Sequence, residues 1–578
     1  MNTAQAQTQQ KRDLVLSGAK RSHLLPFFIL LAALAAFLLT AIILPLYGLG
    51  FSSALLPSGL QQWLLLPTRF LFPQWQLAPS LLGLRSGPPS VSLSWYEVAI
   101  LLLAFSSVMA VYFVAIRALP EIITLRYLLL STALLGVVCV FITMVTSQDI
   151  FSYIIYARMG IIYHLSPVTT LPLQIRHDPI YPYIYWRDQP SAYGPTWILM
   201  TCALQWFTAL FDAGSIAYMI LALRFLGLLA HLCSVLLIWS MSGHLQGSNK
   251  TISIQKRMLA TLAFAWNPLL LFEACTNAHN DTILLLFLLL ALWVLIRMPT
   301  LNGRTALSVA VLLAVATCLK VNIALLFPGY LLFLWAQERR IQMAALALAV
   351  YGATVVALYV PFWENGAIFN LVHVNPGTYR DINTPAEFLT QTINSFIYFF
   401  GGPKPQEIGS PAEKVIHTIC LVFFLVLYAL LCLRTLSRRY ALQTPLRLIR
   451  WMACAWFLYC AIGSPWFWPW YLVTFLGLFA LLEAADPLID MRLGVLKPGY
   501  LPLLARLLAF SMLVLYCFYA WGFYATKLPW PPALRWTYFR GLLAWSLPFL
   551  LLFLYTRLRP QKQLALPATE NEEREPAL

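Results

Sequence analysis

Asp149 stands in the run SQDIFSYIIYARMGIIYHLSP, residues 147–167. Continued as a helix, Asp149, Tyr153, Tyr156, Gly160 and Tyr163 share one face, because residues three and four apart are neighbours on a helix surface. A carboxylate placed there can take a proton from a hydroxyl, or it can do no more than cap the helix that starts at it; both readings stay open on these residues alone. A second polar group ends WNPLLLFEACTNAHND, residues 266–281. His279, Asn280 and Asp281 either cap a helix start or share a polar site with Asp149. His279 and Asp281 leave room for a divalent cation, but two ligands are too few to define a metal centre. No other cofactor is implied.

Lys320 is alone in the apolar stretch CLKVN. A charge at the bilayer centre costs about 2.5–3.5 kcal/mol, so it must reach water, a lipid phosphate or a carboxylate. Arg224, inside another apolar run, faces the same choice. The loop RHDPIYPYIYWRDQPSAYGPTW, residues 176–197, supplies Tyr193 and a Gly194-Pro195 turn. Its Arg176 and Arg187 either hold a phosphate or pair with Asp178 and Asp188. SPWFWPWY, residues 464–471, reads as a rigid turn anchored by its tryptophans at the membrane interface.

The elements that position these residues are membrane helices. Hydrophobic residues make up 60% of the chain and charged ones 10%, against about 25% charged in soluble domains. Spans of about 20 apolar residues are expected near 24–48, 95–117, 125–146, 215–240, 256–274, 281–298, 305–319, 321–337, 341–361, 415–434, 447–463, 467–485, 501–522 and 540–557. The pair 305–319 and 321–337 is either two spans or one broken helix. The chain is thus an all-α polytopic integral membrane protein of thirteen or fourteen spans with outer-face juxtamembrane helices. It has a polar N-terminal tail, 1–23, one membrane domain, 24–560, and a disordered tail, 561–578. The first apolar run is too long for the core of a cleaved signal peptide and is expected to remain as a span.

Charge sets the expected orientation. Lys and Arg gather in short connections such as 434–450, with Arg434, Arg438, Arg439, Arg447 and Arg450. By the positive-inside bias these face the cytoplasm, as do both termini. The long loops 49–94, 147–214 and 362–414 then face outward. The run 195–211 is apolar enough to cross, but placing it along the outer surface keeps Lys250, Lys256 and Arg257 inside. A net charge of +16 spread over span ends does not indicate nucleic acid. The ten cysteines lie in or beside apolar runs without metal-binding spacing.

In this order the segments SQDIFSY (147–153), SAYGPTW (191–197), NPLLLF…HND (267–281), LKVNIALLFP (319–328) and SPWFWPWY (464–471) resemble the GT-C membrane glycosyltransferases. The resemblance is to the polyprenol-phosphate-mannose-dependent α-(1→6)-mannosyltransferases, and its specific part covers about 125–335. Two departures stand out: HLSPV follows the aspartate helix where that family tends to a Gly-x-Asn/Asp-Pro-Tyr-like sequence, and Ala278 precedes His279 where it tends to glycine. The resemblance implies a polyprenyl-phosphate sugar donor, a glycan or glycolipid acceptor, and an active site on the outer side of the cell membrane. It also implies that Asp149 is the catalytic acid residue of the first outer loop. Under it, Lys320, Arg224 and Arg158 are candidates for the donor phosphate, and Tyr153, Tyr156, Tyr193, His279, Asn280 and Asp281 for the sugar or acceptor pocket. Single displacement would invert the anomeric centre. A transporter or flippase of lipid-linked sugars, an envelope polymerase or ligase, and a non-catalytic scaffold are the rival classes. Notable acids at outer span ends, instead of the midplane, favour an enzyme over a transporter.

Overall fold

The structure is a computed structural model; it describes residues 24–40, 95–141, 146–147, 149–212, 216–245, 253–298, 301–337, 341–370, 381–405, 409–486, 489 and 499–558. The expected tails 1–23 and 561–578, the loop 49–94, and residues 371–380 and 406–408 of the loop 362–414 lie outside these. Long uninterrupted apolar runs fold as helices because lipid leaves backbone polar groups no other partner. In chain order they are α1 (Leu24–Thr40), α2 (Trp95–Ala118), α3 (Leu125–Phe141), α4 (Asp149–Ile161), α5 (Pro195–Asp212), α6 (Ile216–Ser242), α7 (Ile254–Ala265), α8 (Pro268–Leu271), α9 (Asn280–Arg297), α10 (Gly303–Thr317), α11 (Phe327–Ala336), α12 (Ile341–Tyr359), α13 (Pro385–Phe399), α14 (Pro411–Arg434), α15 (Pro445–Leu458), α16 (Leu472–Ala485), α17 (Tyr500–Ala520) and α18 (Phe539–Leu558). No strand occurs among the described residues; the β contacts there are isolated bridges such as Ile382 with Trp466.

Among the described residues eight helices are long and apolar enough to cross a membrane, and α7 with Pro268–Thr276, bent by 47°, is a broken span or a re-entrant loop. Every apolar run expected to span carries a helix. Leu24–Thr40, Leu125–Phe141, Gly303–Thr317, Val321–Ala336 and Pro469–Ala485 are shorter than a full crossing. The pair 305–319 and 321–337 is two helices: α10 ends at Thr317, and a 3₁₀ turn, Val321–Leu326, leads into α11. Helix starts follow local chemistry. Thr384, Ser410 and Thr444 each precede a proline at the first helical position, and each hydroxyl accepts the backbone N–H three residues on.

Cations within the bundle each meet a carboxylate or a backbone carbonyl, as burial in an apolar medium favours. Arg506 lies 2.5 Å from Glu483, Arg540 lies 2.8 Å from Glu387, and Arg224 donates to the Val140 carbonyl at 2.8 Å. The last contact also orients α6. Val140 is at the far end of α3, whereas Arg257, at the start of α7, donates to Trp239 near the end of α6. Ile216 therefore lies at the Val140 end of the bundle. Helix α5 starts there too, since its Thr196 N–H donates to the Cys318 carbonyl at the end of α10.

Candidate active site

The segment 266–281 departs twice from a regular helix. Asn267 and Pro268 break α7: the Asn267 side chain accepts the Leu269 N–H and the proline lacks a donor. Five residues later the chain forms a π-helical turn, Phe272–Thr276. A π-turn inserts one residue and rotates the side chains beyond it, and such bulges are frequent at functional sites. Gly227 of α6 lets the bulge approach, since a Cβ there would lie 1.9 Å from the Ala274 carbonyl oxygen. The chain then turns through Ala278 at φ +53° into α9. A left-handed residue is easiest as glycine, which accounts for the glycine tendency of the resembled family at this position.

These departures bring four separated segments together. Asn277 accepts the Thr146 N–H at 3.1 Å and donates to its hydroxyl at 2.7 Å, fastening the chain just before α4. Asp149 opens α4, and its N–H donates to the Ser147 hydroxyl at 3.2 Å. Its carboxylate faces His279 Nδ1 at 3.9 Å, and Tyr193 and Lys320 lie close enough to act on it. Tyr193 sits beside Gly194, whose missing side chain is essential: a Cβ would lie 2.1 Å from the Cys318 carbonyl oxygen. The Gly194 N–H donates to Leu319 and that of Thr196 to Cys318, so SAYGPTW closes the break after α10. From that break Lys320 extends its ammonium to 3.0 Å from both oxygens of Asp281, and to 3.8 Å from the centre of the Tyr471 ring.

His279 is the hub. Its ring stacks on Trp470 at 3.9 Å, and Trp470 in turn stacks on Trp468 at 5.0 Å. Nδ1 meets the Tyr153 hydroxyl at 3.3 Å, and Nε2 faces Glu273 at 3.5 Å. Tyr153 packs edge-on against Tyr193 and Trp197, and the Tyr156 hydroxyl donates to the Gln189 carbonyl at 3.0 Å. Exposure divides the cluster into a floor and an opening. The side chains of His279, Glu273 and Asp281 have no exposure, whereas 22% of Asp149 and 15% of Lys320 remain accessible. Burial pushes the Asp149 carboxyl up to about 6, against the opposing pull of Lys320 and the Tyr193 hydrogen bond. Burial, then Lys320, hold the His279 imidazole well below its usual range, so it is neutral.

Tyr153, Tyr156, His279, Asn280 and Asp281, expected to touch sugar or acceptor, are buried as the floor beneath that opening; Tyr193 is half-buried at its edge. Two expected phosphate partners are placed elsewhere. Arg158 is roughly 13 Å further along α4 by helical rise and is buried on Asp178 at 2.8 Å, a carboxylate that also accepts the Tyr163 hydroxyl and the Ile180 N–H. Arg224 is fully buried against the end of α3. Arg187 donates to backbone carbonyls of Pro182 and Ile184. Helix α4 is not laid on a surface: Ile150–Met159 are buried under the loop and α5. Among the described residues no group of three or more His, Cys, Asp or Glu is arranged for a metal. Glu273, Trp470 and Tyr471 were missed by sequence reasoning. A lone acid in LLLFEACT was itself a signal; the tryptophan in SPWFWPWY gave none to separate it from an interfacial anchor.

Among the described residues of this helical bundle, one carboxylate and one ammonium of the cluster, Asp149 and Lys320, keep partial exposure. Residues 77–359 match the family model described as alpha-(1->6)-mannopyranosyltransferase, N-terminal domain. The match supports a membrane glycosyltransferase, is consistent with the GT-C resemblance, and reaches beyond 125–335 at both ends. No curated protein and no solved structure matches the chain.

Proposed function

We propose that the protein transfers mannose from a polyprenyl-phosphate donor to a glycan or glycolipid acceptor at the outer face of the cell membrane, with inversion. The observation that carries this is the pairing of Asp149 and Lys320 as the two accessible charged groups of an otherwise buried cluster. Sugar transfer from a lipid phosphate needs both. Asp149 takes the proton of the attacking hydroxyl. Lys320 has three donors, two of which meet Asp281, and the third is available to the phosphate oxygen that gains charge as the C1–O bond breaks. Tyr193 orients Asp149, and the stacked His279 and Trp470 form the floor on which donor and acceptor meet. The positive-inside bias supports an outer location for this end of the bundle.

The test uses purified protein, polyprenyl-phosphate-mannose and a short mannan acceptor, with transfer and translocation measured separately in liposomes. Transfer by the wild type is expected, with a loss of about 10²–10⁴-fold in kcat for Asp149→Asn. Near wild-type transfer by that variant would remove Asp149 as the base; translocation without transfer would replace the enzyme by a transporter.

A further inference from the structure

Glu273 belongs neither to the accessible pair nor to the polar groups the sequence singled out, yet it lies behind the hub. The π-turn aims its side chain toward the cluster. Oε1 accepts the Tyr516 hydroxyl of α17 at 2.6 Å, and Oε2 accepts the Asn277 side-chain N–H at 2.8 Å. Oε2 is also 3.5 Å from His279 Nε2, which is buried and has no hydrogen-bond partner among the described residues, so Glu273 is the acceptor nearest to it. On the opposite side of the ring, Nδ1 has the Tyr153 hydroxyl at 3.3 Å and Asp149 at 3.9 Å. The Tyr153 hydroxyl can donate its proton to Nδ1 when that nitrogen carries the lone pair.

A neutral imidazole has one N–H and one lone pair, and the hydrogen bond at one nitrogen decides which is which. From this the geometry points to Glu273 as a positioning residue for the transfer: its Oε2 holds the ring proton on Nε2, so that Nδ1 presents a lone pair towards Asp149. The inference rests on Asp149 being the base. A lone pair at Nδ1 donates nothing to the Asp149 carboxylate, whose accessible oxygen stays free for the proton of the acceptor hydroxyl. A proton at Nδ1 would instead donate towards Asp149. Hydrogen bonding to the charged form favours it, so Asp149 would ionise at lower pH and become a weaker base.

The groups around this axis are few. Asp149 is faced by His279 and Asp281 from the α9 turn, Lys320 from the break after α10, Tyr193 from the loop, Tyr153 and Tyr156 from its own helix, Tyr471 from the turn before α16, and the more distant Glu273. Glu273 is faced by Tyr516 from α17, His279, and the more distant Asp281 and Asp149. Helices α3 and α6 bring Cys139 and Arg224 towards Cys275, two residues further along the bulge.

The tautomer is read directly from ¹⁵N shifts of full-length, ¹⁵N-histidine-labelled protein in lipid nanodiscs, the His279 signals being assigned by their loss in His279→Asn. Protonated Nε2 and bare Nδ1 are expected in the wild type; a proton on Nδ1 overturns the proposal. Glu273→Met removes the acceptor and should move the proton to Nδ1. In the transfer assay that variant should lower the plateau kcat about tenfold and shift its acid limb down by about one pH unit, with KM values for donor and acceptor held within about twofold. Glu273→Gln, whose amide oxygen can take the place of Oε2, should restore both the tautomer and the wild-type limb. A purely structural role would lower the active fraction equally at every pH, and an unshifted limb in Glu273→Met refutes the assignment. If Glu273→Met fails to fold, the wild-type spectrum still decides. Absence of transfer by the wild type would sink the proposed function and leave the tautomer reading intact.

Discussion

Replacing Lys320 by methionine separates its two roles. The ammonium lies 3.0 Å from both oxygens of a carboxylate with no exposure and keeps 15% of its own. At 3.0 Å and an effective dielectric of about 20, the pair attraction is about 5–6 kcal/mol. The net loss on removing one partner is smaller, about 3–5 kcal/mol, and comes mainly from the buried charge left behind. The contact with Tyr471 adds about 0.5–2 kcal/mol. Lys320→Met should therefore be clearly destabilised in detergent, and adding Asp281→Leu should recover most of that loss, with a coupling of at least about 1.5 kcal/mol in a double-mutant cycle. The recovered double variant should still use donor poorly, because neither substitution returns a cation to the phosphate. Lys320 also pulls against the burial that pushes Asp149 up to about 6. Without it the carboxyl ionises at higher pH. Since the base works only when ionised, the acid limb of kcat should move upward, with more activity lost at pH 6 than at pH 8. Thermal melts and pH profiles of the four proteins read both effects. Additive stability losses, or an unmoved acid limb with unchanged donor KM, would refute the role given to this pair.

Asp149→Asn should melt higher than the wild type at pH 7–8. A carboxyl raised in the fold from 3.8 to about 6 contributes stability that is complete below its unfolded value and lost as pH rises through 6; the difference at neutral pH is about 3 kcal/mol at most. No gain, or a gain at pH 4 as well, would count against that burial. Arg158→Met should cost about 3–5 kcal/mol of stability while the folded fraction keeps its donor KM; a raised KM would return Arg158 to the phosphate. Ala278→Gly relieves a left-handed alanine worth roughly 1–2 kcal/mol at an unfolded-state cost of about 0.4–1 kcal/mol. Full activity and an equal or slightly higher melting temperature are expected, and a clear drop would mean that the alanine methyl is a packing group.

The spans were legible because apolar runs of the right length have no stable alternative in lipid, and the polar punctuation between them marks their ends. The loop 362–414 was legible only by its length and expected side. In the fold its helix α13 turns Glu387, Thr390, Gln391, Asn394 and Ser395 inward and leaves Leu389, Ile397, Phe399 and Phe400 exposed. Hydropathy cannot show this inversion, since the inward face is satisfied by Arg540 and Ser410, residues supplied by other helices. The pairing of Arg158 was illegible for the same reason: its partner, Asp178, is twenty residues away along a loop whose path no local pattern sets.

The candidate site was legible as motifs and not as geometry, and the difference lies in the backbone. Residues 272–276 gain a π-turn and residues 318–320 lose their helix without any change of composition that a reader could weigh. Both departures free backbone groups that lipid cannot satisfy, so each is tolerable only where protein supplies a partner. At the second, Gly194 and Thr196 donate to Leu319 and Cys318. Beyond the first, the His279 N–H turns back to the Glu273 carbonyl at 2.9 Å, and the Asn277 side chain ties the turn to Thr146. The residues that repair the backbone thus sit beside those proposed for the chemistry: Tyr193 next to Gly194, Lys320 next to Leu319, His279 two residues from Asn277. Weakening a repair should displace its catalytic neighbour. That coupling explains why short segments far apart in the chain carry the resemblance together, while the spans between them need only be apolar.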